Sequence, residues 1–91
     1  MSVTVKLPTQ LRASAGGEGA VVVEGSTVGE ALEALYVVHP ELRERLSDED
    51  GSLRRFINVY VNGDDIRFGD LLDTPVVDGQ EVQILPAVAG G

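Results

Sequence analysis

The clearest local pattern in the chain is Ile57-Asn58-Val59-Tyr60-Val61-Asn62-Gly63. Its first five residues alternate between apolar and more polar side chains, which is typical of a strand with one buried face. Ile57, Val59 and Val61 are therefore predicted to point inward. Asn62-Gly63 predicts a tight hairpin turn, and we place the returning strand at residues 66–68.

The segment before this strand predicts a hairpin and then a helix. Alternation over residues 2–7, closed by Pro8, predicts one strand, and Val21-Val22-Val23 predicts its partner. Residues 11–19 contain three glycines and are predicted to form a loop.

The main helix is predicted to begin at a capping box, Thr27-Val28-Gly29-Glu30, in which two side chains satisfy free N–H groups. The apolar stripe of this helix is Val28, Ala31, Leu32 and Leu35. It is predicted to end at His39-Pro40, because the residue before proline disfavours helical geometry. A short helical turn over residues 41–46 follows.

The chain after the central strand returns to the sheet. Leu71-Leu72 is predicted to enter the core, Asp78-Gly79 to form a turn, and residues 81–85 to form the last strand. Within that strand Val82 and Ile84 point inward and Leu85 points outward. This order predicts an α+β fold, a mixed four- to five-stranded sheet with one main helix packed across one face.

Composition narrows the class of protein. The chain has 91 residues, enough for one small domain, with 7 Lys+Arg against 15 Asp+Glu and a net charge of −8. This charge repels phosphate backbones, so we expect no nucleic-acid partner and favour a partner with a basic docking face. Cysteine is absent, which excludes disulfides, thiolate metal ligands and cysteine nucleophiles. With no apolar segment of membrane-spanning length, we expect a cytoplasmic protein and no membrane partner.

Two stretches carry a resemblance to a known family. They are Arg55-Phe56-Ile57-Asn58-Val59-Tyr60-Val61-Asn62, with Asp65 and Arg67-Phe68 beyond it, and the end Ile84-Leu85-Pro86-Ala87-Val88-Ala89-Gly90-Gly91. In these residues the chain resembles the ThiS/MoaD family of ubiquitin-like sulfur carriers, and most of all the CysO-type carriers of actinobacterial cysteine biosynthesis. The resemblance implies a β-grasp domain over residues 1–86 and a flexible tail over residues 87–91.

The resemblance also implies a sulfur-carrying residue, Gly91. An E1-like adenylyltransferase/sulfurtransferase would consume ATP to convert its carboxylate to a thiocarboxylate. A PLP-dependent cysteine synthase would accept the sulfur, and a JAMM-type zinc metalloprotease would release the product. The tail that enters these active sites is Ala87, Val88, Ala89, Gly90 and Gly91. The chain itself would bind no cofactor or metal and would not be an enzyme.

Other functions are compatible with the same end. A carrier of the molybdopterin-synthase small-subunit type has a closely similar lead-in, and secondary-metabolite pathways use carriers of this shape. A ubiquitin-like protein modifier is a further alternative, although Ala87 and Val88 lack the charge found before the end of ubiquitin. The last alternative is a passive β-grasp interaction module.

A docking patch is predicted beside the tail. If Ile57, Val59 and Val61 face the helix, then Phe56 and Tyr60 point to the open face of the sheet with Leu85. These three residues form a candidate partner-docking patch. The alternative is that the aromatic side chains fill sheet edges and contact neighbouring loops.

The remaining polar candidates are given structural roles. His39 stands alone and is interpreted as the end of a helix. Asp48-Glu49-Asp50 lacks the ligand spacing of a calcium loop and is interpreted as a solvated loop. Arg54-Arg55 is interpreted as pairing with local carboxylates, a partner's carboxylate being the alternative.

Overall fold

In the described part of the chain, five strands form one mixed sheet, in the order β2-β1-β5-β3-β4. The computed structural model describes residues 2–55 and 57–86. The strands are β1 Ser2–Lys6, β2 Ala20–Glu24, β3 Ile57–Val61, β4 Asp64–Asp65 and β5 Glu81–Pro86. The helices are α1 Thr9–Arg12, α2 Val28–Val38 and α3 Glu41–Leu46, and short 3₁₀ turns cover Ala13–Ala15, Ile66–Phe68 and Leu71–Asp73. The predicted α+β arrangement is confirmed.

The last strand, β5, lies in the middle of the sheet. It pairs in parallel with β1, where Val5 lies opposite Val82, and antiparallel with β3, where Val59 lies opposite Ile84. A hairpin joins β1 to β2, as predicted. Parallel neighbours cannot be joined by a tight turn. The chain therefore crosses through the helices and β3 before β5 inserts next to β1.

One face of the sheet carries the core. Val82 and Ile84 are 0% exposed, and the predicted stripe of α2 is buried against this face. Ile57, Val59 and Val61 are buried as well, so the predicted parity of β3 is confirmed. The longest helix, α2, has 11 residues. In the part of the chain that the structure describes, no helix is both long and apolar enough to cross a membrane.

The start of α2 is capped from two positions. The Thr27 hydroxyl accepts a hydrogen bond from the Glu30 amide at 3.1 Å, as the capping box predicts. The Glu30 carboxylate accepts from the Ser26 amide at 2.8 Å and from the Ser26 hydroxyl at 2.7 Å. It therefore caps one residue earlier than a standard box. A Cβ on Gly25 would lie 2.7 Å from the Ala31 nitrogen, so only glycine fits there.

The prediction of a strand at residues 66–68 is wrong, because these residues form a 3₁₀ turn. The Asn62-Gly63 turn has positive φ angles of 53° and 88°, and it pairs Val61 directly with Asp64. The returning strand is therefore Asp64–Asp65. A carboxylate oxygen of Asp65 then accepts a hydrogen bond from the Arg67 amide at 2.9 Å, which starts a 3₁₀ turn instead of a longer strand.

Two further expectations need correction. Residues 11–19 are not simply a loop, because Leu11 lies in α1 and Ala15 in a 3₁₀ turn, and both are buried in the core. Leu72 packs against the core as expected. Leu71 has a positive φ of 53° and is 56% exposed, so the prediction that it enters the core is wrong.

The alternation of β5 gives a stability test. Ile84→Ala removes a fully buried side chain and should lower the free energy of unfolding by about 2–5 kcal/mol. Leu85→Ala is the matched control, because Leu85 is 36% exposed on the other face. This substitution should lower the free energy of unfolding by about 1 kcal/mol or less. Urea unfolding followed by circular dichroism measures both values. Equal losses for the two variants would contradict the assigned faces.

The Glu30 cap predicts a pH dependence. The hydrogen bonds from the Ser26 amide and hydroxyl lower the pKa of Glu30 from its usual 4.5. Because the folded pKa is the lower one, the stabilisation is present above pH 4.5 and is lost as the pH falls through the folded value. Urea unfolding at several pH values should show a smaller acid-side loss for Glu30→Gln than for the wild type. The control, Glu49→Gln, removes the same charge from an exposed side chain outside the cap. An equally reduced acid-side loss in both variants would contradict the role of the cap.

Candidate functional site

The predicted site begins where β5 ends. Pro86 is the last residue of the strand and lies opposite Ile57 at the first position of β3. The buried side chains of Val82 and Ile84 fix the strand just before this point. Residues 87–91, and with them Gly91, lie outside the described residues. The structure therefore locates the point at which the tail leaves the domain.

Two of the three docking-patch residues share the open face of the sheet. Tyr60 lies opposite Gln83, and Leu85 lies opposite Asn58 on the same pair of strands. Tyr60 and Leu85 are therefore diagonal neighbours, about 7–8 Å apart between Cα atoms. Tyr60 is partly exposed and Leu85 is 36% exposed. Phe56 lies outside the described residues, so its membership of the patch stays a prediction.

The rest of this face is mainly polar. Lys6 forms an ion pair with Glu81 at 3.6 Å between the neighbouring strands β1 and β5. The amide oxygen of Asn58 is buried, with no hydrogen-bond partner among the described atoms. The apolar surface of Tyr60 and Leu85 is therefore a small area beside the exit of the tail. Such an area can contribute to docking, but its groups supply no nucleophile with an adjacent base.

The family assignment rests on almost the whole chain. A model of the ThiS family matches residues 5–91. The chain belongs to the ThiS family.

Individual relatives agree with this assignment. The sulfur carrier protein CysO of Mycobacterium tuberculosis is 46% identical over 93 residues, covering 100% of each chain. A chain in the crystal structure of the Amycolatopsis orientalis BexX/CysO complex superposes with a TM-score of 0.90 at 48% identity, covering 98% of this chain and 99% of that one. Small archaeal modifier protein 1 of Haloferax volcanii is 40% identical over 72 residues, covering 78% of each chain. The β-grasp expectation and the resemblance to CysO-type members of the ThiS family are confirmed.

One side chain of α2 in this ThiS-family chain has a strongly shifted pKa. Burial raises the pKa of the Tyr36 phenol to about 12, while a hydrogen bond with Ser47 acts in the opposite direction. The Arg43 guanidinium lies 4.9 Å from the ring centroid and is held by Glu33 at 2.8 Å. A shifted pKa can mark a functional group. Here it is explained by the packing of α2 on α3.

The remaining candidates have structural explanations. His39 is the C-terminal cap of α2, as predicted, and its Nε2 atom is buried without a described hydrogen-bond partner. Asp50 accepts hydrogen bonds from the amide and hydroxyl of Ser52, which lower its pKa. Asp48 pairs with Arg54 at 3.5 Å. Across residues 2–55 and 57–86, no three His, Cys, Asp or Glu side chains are placed to hold a metal ion.

The two adjacent arginines behave differently. Arg54 pairs locally, as predicted, with Asp48 and with the Glu44 carbonyl at 2.9 Å. Arg55 has no carboxylate within ion-pair distance among the residues described, so the local pairing expected for it is not found. Instead, its carbonyl accepts a hydrogen bond from the Arg67 guanidinium at 3.1 Å. The sequence did not indicate that Arg67 folds back onto the start of β3, because twelve residues separate it from Arg55.

Proposed function

We propose that the chain is a sulfur carrier whose Gly91 carboxylate is adenylated and then converted to a thiocarboxylate that donates sulfur for cysteine biosynthesis. The observation that carries this proposal is the likeness to CysO sulfur carrier proteins over the complete length of both chains, at 46% identity. The match to the ThiS family runs through residue 91, the residue proposed to carry the sulfur.

The chemistry of a C-terminal carboxylate supports an activation step. Its pKa is near ~3.5, so at neutral pH it is an anion and a poor electrophile. Attack of the carboxylate on the α-phosphate of ATP forms an acyl-adenylate and releases pyrophosphate. Sulfide then attacks the acyl carbon and displaces AMP, which leaves the thiocarboxylate. If the donor is a persulfide of the activating enzyme, this attack gives an acyl disulfide instead, and a thiol of that enzyme must attack the enzyme-side sulfur of the S–S bond, which forms an enzyme disulfide and releases the thiocarboxylate. Glycine suits this position because no Cβ crowds the carbonyl.

The position of β5 supports the same proposal mechanically. Six residues from Pro86 to Gly91 could extend by about 20 Å. The tail could therefore reach a buried active site in another protein while the folded domain stays at the entrance. The central position of β5, with strands on both sides, anchors the base of the tail. In this proposal the domain presents the tail and does not catalyse a reaction itself.

The proposed partners follow from these steps. An E1-like adenylyltransferase/sulfurtransferase supplies ATP chemistry and sulfur. A PLP-dependent cysteine synthase accepts the sulfur, and a JAMM-type zinc metalloprotease releases the cysteine after acyl transfer. ATP is thus consumed by the partner, and the carrier binds no cofactor.

A second candidate is a ubiquitin-like modifier that forms isopeptide bonds with lysines of other proteins. The likeness to small archaeal modifier protein 1 favours this candidate. The chain has one lysine, Lys6, so self-conjugation would have one side-chain acceptor. The two functions share activation of Gly91 and differ in the nucleophile that attacks it.

Intact mass separates these functions. With the E1-like enzyme, ATP and a sulfur donor, we expect the mass to rise by the difference between a sulfur and an oxygen atom. Addition of the cysteine synthase and its activated serine substrate should then give a cysteinyl adduct. A modifier would instead give covalent ladders with other proteins. Deletion of Gly91 should abolish both products, and an unchanged mass for the wild-type protein with a competent enzyme would overturn the proposal.

The docking patch is tested by one charged substitution. Tyr60→Asp places a carboxylate in the patch and should weaken binding to the E1-like enzyme about tenfold, because a partly buried tyrosine is a typical anchor of interfaces. The control is Val22→Asp, since Val22 is 67% exposed on the same face and lies three strands away, about 14 Å. Calorimetric titration measures affinity and thermal unfolding checks both folds. Equal affinities for Tyr60→Asp and the wild type would remove Tyr60 from the patch.

A further inference from the structure

Basic and acidic side chains are unevenly distributed along the strand direction. At the end of the sheet where β1 and β5 begin, the Asp78 carboxylate accepts a hydrogen bond from the Ser2 amide at 2.8 Å, and the Glu24 carboxylate accepts from the Ser2 hydroxyl at 2.7 Å. The segments that meet at this end, residues 24–30, 61–66 and 74–81, contain no lysine or arginine. They contain six carboxylate side chains, so acidic side chains outnumber basic ones at this end.

The opposite end, where the tail leaves, carries cations on one side of β5. Lys6 is the last residue of β1 and lies opposite Gln83 of β5. The Arg12 Nε atom donates to the Leu7 carbonyl at 3.2 Å, which holds this guanidinium just beyond the end of β1. Lys6 and Arg12 line one shallow groove together with Leu85. Two cations thus lie within one strand of the tail's base.

The other side of β5 carries two more cations. The Arg67 guanidinium donates to the carbonyls of Arg55 and Ile57, at 3.1 and 3.3 Å. Ile57 is the residue opposite Pro86, so this guanidinium lies one strand away from the end of β5. Arg55 precedes β3 by two residues and is exposed. Lys6, Arg12, Arg55 and Arg67 therefore bracket the exit of the tail, and we call them the basic crescent.

Among the described residues, three members of the basic crescent have no carboxylate within ion-pair distance. Arg12, Arg55 and Arg67 are exposed, and no ion pair within the described ranges involves them. By contrast, Arg43 is paired with Glu33 at 2.8 Å and Arg54 with Asp48 at 3.5 Å. A guanidinium has five N–H donors in a planar fork that matches a carboxylate. Lys6 is paired with Glu81 at 3.6 Å. Asp50, Asp70 and Asp73 line the same groove as Arg55 and Arg67 but lie beyond ion-pair distance of them. The three arginines therefore keep the capacity to bind acidic groups of another molecule.

We propose that the basic crescent docks onto an acidic rim around the active-site entrance of the E1-like activating enzyme. This inference rests on the proposed function, because it assigns the rim to the enzyme that activates Gly91. It reverses the expectation of a basic docking face that the net charge of −8 suggested. Only the end of the sheet at which the tail leaves faces the enzyme. Repulsion between the enzyme's acidic rim and the acidic end of the domain would favour this orientation as the two proteins approach. The surplus of acid elsewhere disfavours nucleic acid as the occupant.

The decisive variants remove charge at the crescent without touching Arg67, which holds the backbone of β3. Arg55→Gln removes a guanidinium that makes no ion pair with a described residue. Arg12→Gln/Arg55→Gln removes one charge from each side of β5. The matched control is Val77→Glu, which changes the net charge by the same single unit as Arg55→Gln. Val77 is 53% exposed, next to Asp78 at the acidic end.

Binding of the full-length variants to the E1-like enzyme tests the proposal. At about 0.1 M salt, Arg55→Gln should weaken affinity about threefold and the double variant about tenfold, while Val77→Glu stays within about twofold of wild type. At about 1 M salt, where the Debye length falls from roughly 10 to 3 Å, the differences should shrink. Thermal unfolding verifies that each variant is folded.

Three results would overturn the proposal. The first is an affinity of the double variant equal to that of the wild type. The second is a loss of affinity for Val77→Glu as large as the loss for Arg55→Gln. The third is tighter binding of the double variant, which would mean that the crescent holds the chain's own Gly91 carboxylate. The mass of the wild type after incubation with ATP and a sulfur donor separates this outcome from failure of the proposed function. Wild type that is thiolated but insensitive to crescent charge refutes the crescent alone. Crescent-dependent binding without thiolation refutes the sulfur-carrier function alone.

Discussion

The structure depends on the insertion of the last strand into the middle of the sheet. β5 is paired along both edges, with β1 on one side and β3 on the other, and its inward side chains Val82 and Ile84 are fully buried. Each fully buried side chain of this size contributes about 1.5–3 kcal/mol through removal of apolar surface from water. The C-terminal residues are therefore attached to one of the best-held elements of the domain. A tail attached to an edge strand would lack backbone pairing on one side of its base.

Much of this fold could be predicted because its signals are local. The alternation in β3 and β5, the stripe of α2 and the end of α2 at His39 are set by residues within a few positions of one another. The errors arise where a side chain competes with the backbone pattern. Asp65 captures the Arg67 amide and turns a predicted strand into a 3₁₀ turn. The carboxylate of Glu30 bonds to Ser26 rather than to Thr27, which no spacing rule distinguishes.

The same distinction applies to the candidate site: local sequence patterns predict part of it, and the rest depends on contacts between residues far apart in the chain. Parity alone places Tyr60 and Leu85 on the open face, and the structure agrees. The basic crescent could not be predicted, because its four residues come from β1, α1, the approach to β3 and a 3₁₀ turn. Their proximity follows from the parallel pairing of β1 with β5 and from Arg67 reaching back to Arg55. The net charge depends on composition alone, so it does not show that basic and acidic side chains lie at different ends of the sheet.

A carrier of this kind has two requirements that conflict. Its reactive end must be small and extended enough to enter several different active sites, which excludes a large recognition surface on the tail itself. Specific recognition must then come from the domain, close to the point where the tail leaves. Under the proposed function, the cations and the small apolar area around the end of β5 would meet this requirement, because electrostatic attraction would act at the entrance while the terminal glycines enter the active site. Charged contacts at the edge of an interface favour rapid association, and the proposed carrier would also need to dissociate after each reaction. Separation of recognition from chemistry therefore follows from the position of one central strand.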